Sequence, residues 1–117
     1  MRLRAEFWVK AYLRRCVVEG ASAVVVRHGD DDAGAIFIKI SRLDGTCRLF
    51  GPAPAGLAGA ESDRRWVACL GSAAVAESEA DAFLAREASF DSDLWVVEVE
   101  DRPGRNFLDE QLDEPTV

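Results

Sequence analysis

The sequence predicts a single α+β domain of two layers, a mainly antiparallel sheet of about five strands with two helices, in the order α-β-β-β-β-α-β. Three observations predict it. Residues 33–54, AGAIFIKISRLDGTCRLFGPAP, hold two apolar-rich runs around Asp44-Gly45, a strong hairpin signal. Residues 3–19 and 78–90 carry apolar residues at helical spacing. The segments between and after them, 21–28, 64–70 and 94–100, are short, rich in Val and Trp, and bounded by turn residues. Strands joined by short links pair antiparallel, so the helices are expected mainly on one face.

In residues 3–19 the stripe of Trp8, Tyr12 and Cys16, with Ala5, Val9 and Leu13 beside it, marks the inward side. Gly20 is placed to close the helix at its C′ position. The run at 21–28, ASAVVVRH, has no polar alternation and reads as a central strand covered on both faces. Gly29 to Asp32 form a turn. His28, Asp30 and Asp32 have the spacing of a metal site, but three adjacent acids in a turn suit solvation, and no further ligand set lies near.

In the hairpin, a two-residue turn at Asp44-Gly45 places Ile40 opposite Leu49 and Ile38 opposite Gly51. Ile36, Ile38, Ile40, Cys47 and Leu49 then face the core. Phe37, Lys39, Arg48 and Phe50 share the outer side, and these four are the candidate binding surface; the competing reading is that a helix or loop covers Phe37 and Phe50 while Lys39 and Arg48 snorkel past them. A three-residue loop shifts the pairing by one and turns Arg48 and Phe50 towards the isoleucines. The two-residue register is preferred because it buries more apolar surface.

Residues 53–63 form a loop of small residues, the expected mobile segment. In 64–70, Trp66, Ala68 and Leu70 lie on one side. Ser78 suits the N-cap of the second helix, with Asp81 three residues on, and Ala80, Phe83, Leu84 and Ala88 form its inward face. In 94–100, Trp95, Val97 and Val99 face one way and Leu94, Val96, Glu98 and Glu100 the other. The domain is expected over 1–108, with 109–117 an acidic, frayed tail.

Composition narrows function by exclusion. The chain has 117 residues, is 49% hydrophobic and carries a net charge of −7. It can bury its own core, and no apolar run reaches the length of a membrane span. Charges throughout the first fifteen residues do not suit a secretory signal, and the cytoplasm is the expected location. Residues 1–76 carry 11 Lys+Arg against 8 Asp+Glu, whereas 77–117 carry 3 against 13. Three widely spaced Cys support neither a disulfide framework nor a zinc site. With one His and no phosphate-binding, dinucleotide-binding, HExxH or GxSxG motif, no catalytic residue, metal or cofactor is assigned. The expected role is a non-enzymatic cytosolic interaction domain that binds a protein partner or forms a homodimer. The alternative is a nucleic-acid or small-ligand binder using the basic and aromatic sheet face, and an enzyme of unrecognised class ranks third.

Four blocks, FIKISRLDGTCRLFGPAP (37–54), RRW (64–66), FLARE (83–87) and FDSDLWVVEVEDRPGR (90–105), agree in order and spacing with a family of small, mostly alphaproteobacterial proteins. The chain resembles domain-of-unknown-function family 1491. Ser92 stands where the family's FDPDLW block has Pro. The resemblance implies a compact bacterial cytosolic protein and carries over no activity, cofactor or catalytic residue.

Overall fold

A computed structural model describes residues 3–54, 64–108 and 112–113. The elements are α1 (Ala5–Val18), β1 (Ser22–Arg27), β2 (Ile36–Ser41), β3 (Thr46–Pro52), β4 (Trp66–Ala68), β5 (Val75–Ala76), α2 (Glu77–Phe90), β6 (Trp95–Glu100) and β7 (Leu112–Asp113). The expected loop at 53–63 falls mostly outside the described residues, as does most of 109–117, where the two residues of β7 pair with β4.

The first helix forms as its sequence directs. Ala5, Val9, Tyr12 and Cys16 are buried on one stripe. Gly20 adopts φ +85°. The Ala21 N–H donates to Cys16 O at 2.9 Å and the Gly20 N–H to Val17 O at 3.0 Å, the paired bonds of a Schellman stop. No side chain caps the helix start. Instead the Ala5 and Glu6 N–H groups donate to Asp32 O and Asp31 O at 3.0 and 2.9 Å, so the 29–34 loop satisfies them. α2 starts one residue before the expected Ser78 cap. Its N-cap is Ala76, and the Glu77 N–H donates to Gly45 O across the hairpin tip at 3.1 Å.

The strands form one mixed sheet in the order β1-β6-β2-β3-β4-β7, with β5 also on β3. The β2–β6 and β4–β7 pairs are parallel and the other four antiparallel. The α+β class and the mainly antiparallel sheet are as expected. Two placements differ. The chain returns through α2 to insert β6 between β1 and β2, so among the described residues β1 is an edge strand rather than a central one. The two helices also lie on opposite faces, which makes three layers. α1 covers Ile36, Ile38, Ile40, Phe50, Val97 and Val99, and α2 covers Phe37, Cys47, Leu49, Leu94 and Val96.

The hairpin register differs as well. Ile38 pairs with Phe50, Lys39 with Leu49 and Ile40 with Arg48. The Arg42 N–H donates to Thr46 O, closing a three-residue loop of Leu43, Asp44 and Gly45. Leu43 and Gly45 take positive φ, and Asp44 accepts the Thr46 N–H and hydroxyl at 2.9 and 2.6 Å. The two-residue register expected from apolar burial is not the one observed. Both faces are covered, so apolar burial does not select between registers and the turn chemistry decides.

Candidate functional site

The observed register separates the four sequence-predicted surface residues. Phe37 and Lys39 point towards α2, whereas Arg48 and Phe50 point towards α1. Phe37 is 7% exposed and packs edge-on against Phe83, ring centres 6.2 Å apart. Phe50 is fully buried. The Arg48 guanidinium lies 4.8 Å over the Phe50 ring, with its Nε and Nη2 buried and without a partner among the described residues. Both rings are covered, the competing reading of the sequence, and the four residues form no exposed aromatic and basic face.

Lys39 instead occupies the centre of an ionic cluster beneath the first turns of α2. It is 4% exposed. Its Nζ lies 2.9 Å from Asp81, 3.1 Å from Glu77 and 3.5 Å from Glu98, and Ser41 Oγ donates to Glu77 at 3.1 Å. Burial pulls the Lys39 pKa down, but the hydrogen bonds to Asp81 and Glu77 and the field of Glu98 outweigh it, and the net shift is upward. Lys39 is thus held as a cation. Cys47, on the same face, has its thiol pKa raised, chiefly by burial. Asp81 read from sequence as a capping residue, and nothing local linked Glu98 to Lys39. The link comes from the parallel β2–β6 pairing, which sets Lys39 beside Glu98.

The sheet registers extend this cluster to the open edge. On the α2 face, Val24, Glu98, Lys39 and Leu49 form one transverse row, and Ser22, Glu100, Ser41 and Cys47 the next. α2 covers the β2–β3 end of these rows but not the β1 end. Val24 is 57% exposed and Val26 60% exposed. A bulge between Val25 and Arg27 ends the regular stretch of β1. On the α1 face, Trp8 packs on Trp66 of β4 at 4.7 Å. At 100° per residue the opposite flank of α1, towards β1, carries Leu13 and Val17, and Val17 is 67% exposed. The sequence missed this surface because an unbroken apolar run reads the same for a buried strand as for an exposed one.

The polar groups of residues 28–32 have structural tasks. His28 bonds Asp31 at 2.8 Å and stacks on Trp95 at 4.0 Å. Asp30 accepts the N–H groups of Asp32 and Ala33, and Asp32 pairs with Arg4. Among the described residues no group of three or more His, Cys, Asp and Glu has the arrangement to hold a metal ion. No helix of the described residues is long and apolar enough to cross a membrane. A cleft of about 360 Å³ opens between Arg4, Asp32, Pro52, Arg64 and Trp66, where Arg64 donates to Leu3 O at 2.6 Å.

The family model described as "Protein of unknown function (DUF1491)" matches residues 3–109. The chain belongs to the DUF1491 family. It is similar to a DUF1491 protein from Caulobacter crescentus CB15 seen in a crystal structure, at 40% identity and a TM-score of 0.79, over 97% of this chain and 99% of that one. An NMR structure of a DUF1491 protein from the same organism matches at 42% identity and a TM-score of 0.79, over 97% and 98%. The solution structure of protein Atu0922 from A. tumefaciens matches at 43% identity and a TM-score of 0.75, over 86% of each chain. No curated protein matches the chain. The DUF1491 membership indicates no activity.

Proposed function

We propose that this DUF1491 protein is a cytosolic, non-enzymatic interaction domain that docks another polypeptide along the open edge of β1. The observation that carries this reading is an edge strand with three consecutive exposed valines, Val24, Val25 and Val26. An edge presents unpaired N–H and C=O groups that a further strand can take up. Exposed apolar surface is a mark of interaction sites, and on the α1 face Val17 adds to it on the helix flank towards β1. Covering Val17, Val24 and Val26 supplies about 1 kcal/mol each in apolar burial, before the cost of association. The chemistry of the four sequence-chosen residues does not favour nucleic acid, because Phe37 and Phe50 are buried on opposite faces. The test is a photo-crosslinking residue placed at Val24 in cells, with Leu43 at the exposed hairpin tip as control. A defined adduct from position 24 and none from 43 is expected. Equal yields from both, or none from 24, contradict the reading.

A further inference from the structure

The rows that cross the sheet also indicate what kind of strand the edge accepts. We infer that the occupant of β1 is an extended segment of a partner protein in which apolar residues alternate with Lys or Arg, an inference that rests on the docking reading above. On the α2 face, the acids next to the edge outnumber the cations. Lys39 stands against Glu77, Asp81 and Glu98. Glu100, exposed and beside Ser22, has no ion pair among the described residues. With Arg27 of β1, which the register sets beside Val96 on the same face, two cations stand against four carboxylates, in a chain of net charge −7.

A strand added to β1 lies about 4.8 Å from it, with side chains alternating between the faces. A residue opposite Ser22 on the α2 face is then about 10 Å from Glu100 across the small serine side chain, a separation that extended Lys and Glu side chains span together. On the α1 face the added side chains meet Ala23, Val25 and the Leu13–Val17 flank, all apolar. One face thus selects a base and the other a hydrophobe, with the period of two that a strand provides.

A second copy fits less well. Antiparallel self-pairing about Val24 sets Arg27 of one copy opposite Ser22 of the other, but it also seats the Val26 bulge of each copy against the regular end of its mate, which interrupts the shared ladder twice. The bulge at Val26 further shortens the stretch available for pairing.

The test titrates the protein, labelled for amide NMR, with three short capped peptides: alternating Val and Lys, alternating Val and Glu, and a scrambled Val/Lys sequence. The expected result is shifts at residues 22–27 with the alternating Val/Lys peptide alone, weakened by salt, and about threefold weaker in Glu100→Gln. Equal shifts with the Val/Glu or scrambled peptide overturn the inferred chemistry while leaving docking at β1 standing. Shifts at 22–27 that follow protein concentration rather than peptide assign the edge to a second copy and also overturn it. No shift at 22–27 under any condition removes both the inference and the docking reading.

Discussion

Lys39→Met tests the ionic cluster most sharply. The substitution keeps an unbranched side chain of similar length and removes the charge. Glu77 and Glu98, each 31% exposed, and Asp81, 63% exposed, are left facing one another without their shared cation. Removing one partner of a fully buried pair costs about 3–5 kcal/mol. The partial exposure of these carboxylates screens the loss, and about 2–3 kcal/mol is expected. For a domain of this size that lowers Tm by about 10 °C. The assay is urea and thermal unfolding at pH 7, followed by tryptophan fluorescence. Because the folded-state pKa of Lys39 lies above its ordinary value of 10.5, its contribution is complete below that value and is lost as pH rises through the folded pKa. The difference between wild type and variant is therefore expected to hold from neutrality to about pH 10 and to narrow above it. A difference under about 0.5 kcal/mol at pH 7 refutes the cluster as an anchor of α2, because it lies within the roughly 0.2–1 kcal/mol of an ordinary exposed pair.

Four further outcomes follow from the packing. Phe50→Ala is expected to cost about 3–5 kcal/mol by urea unfolding, since Phe50 is fully buried, and a loss under about 1 kcal/mol contradicts its burial in the core beneath α1. Gly51→Ala places a Cβ 2.7 Å from the Phe37 ring and 2.8 Å from Cys69 Sγ, so a loss of about 1–3 kcal/mol from overpacking is expected in the same assay. Gly20→Ala meets no neighbour within 4 Å, so its cost of about 1 kcal/mol is that of φ +85° alone and is measurable as a Tm drop without loss of helix signal. The Arg105 side-chain hydrogen bonds lower the Asp101 pKa against the opposing effect of burial. Its contribution is present above the ordinary carboxylate value and lost as pH falls through the folded one, so Asp101→Asn should be less stable at pH 7 and converge on wild type in acid unfolding.

The parts legible in the sequence are those set by local chemistry. The stripe of Ala5, Val9, Tyr12 and Cys16 identified the buried side of α1, and Gly20 identified its end. The alternation in β6 separated Trp95, Val97 and Val99 from Leu94 and Val96, which lie in different clusters. Asp44-Gly45 marked the hairpin but not its register, because Phe37 and Phe50 are both core residues and either pairing buries apolar surface. The position of β1 was not legible. It depends on α2 carrying β6 back into the sheet, a choice made by packing distant segments, and Ser22–Arg27 contains no polar alternation that marks an exposed strand. The candidate site followed the same division. The sequence marks Lys39, but its partners Glu77, Asp81 and Glu98 come from two other elements and meet it only in the folded chain.

The docking reading rests on β1 having a free edge, and amide hydrogen exchange of the dilute protein measures that directly. In an edge strand paired only with β6, the amides that point inward are protected and the alternating outward ones exchange quickly. Alternating protection along Ser22–Arg27, with uniform slow exchange in β2, is the expected pattern. Uniform protection across β1 contradicts the account, since its edge is then already occupied.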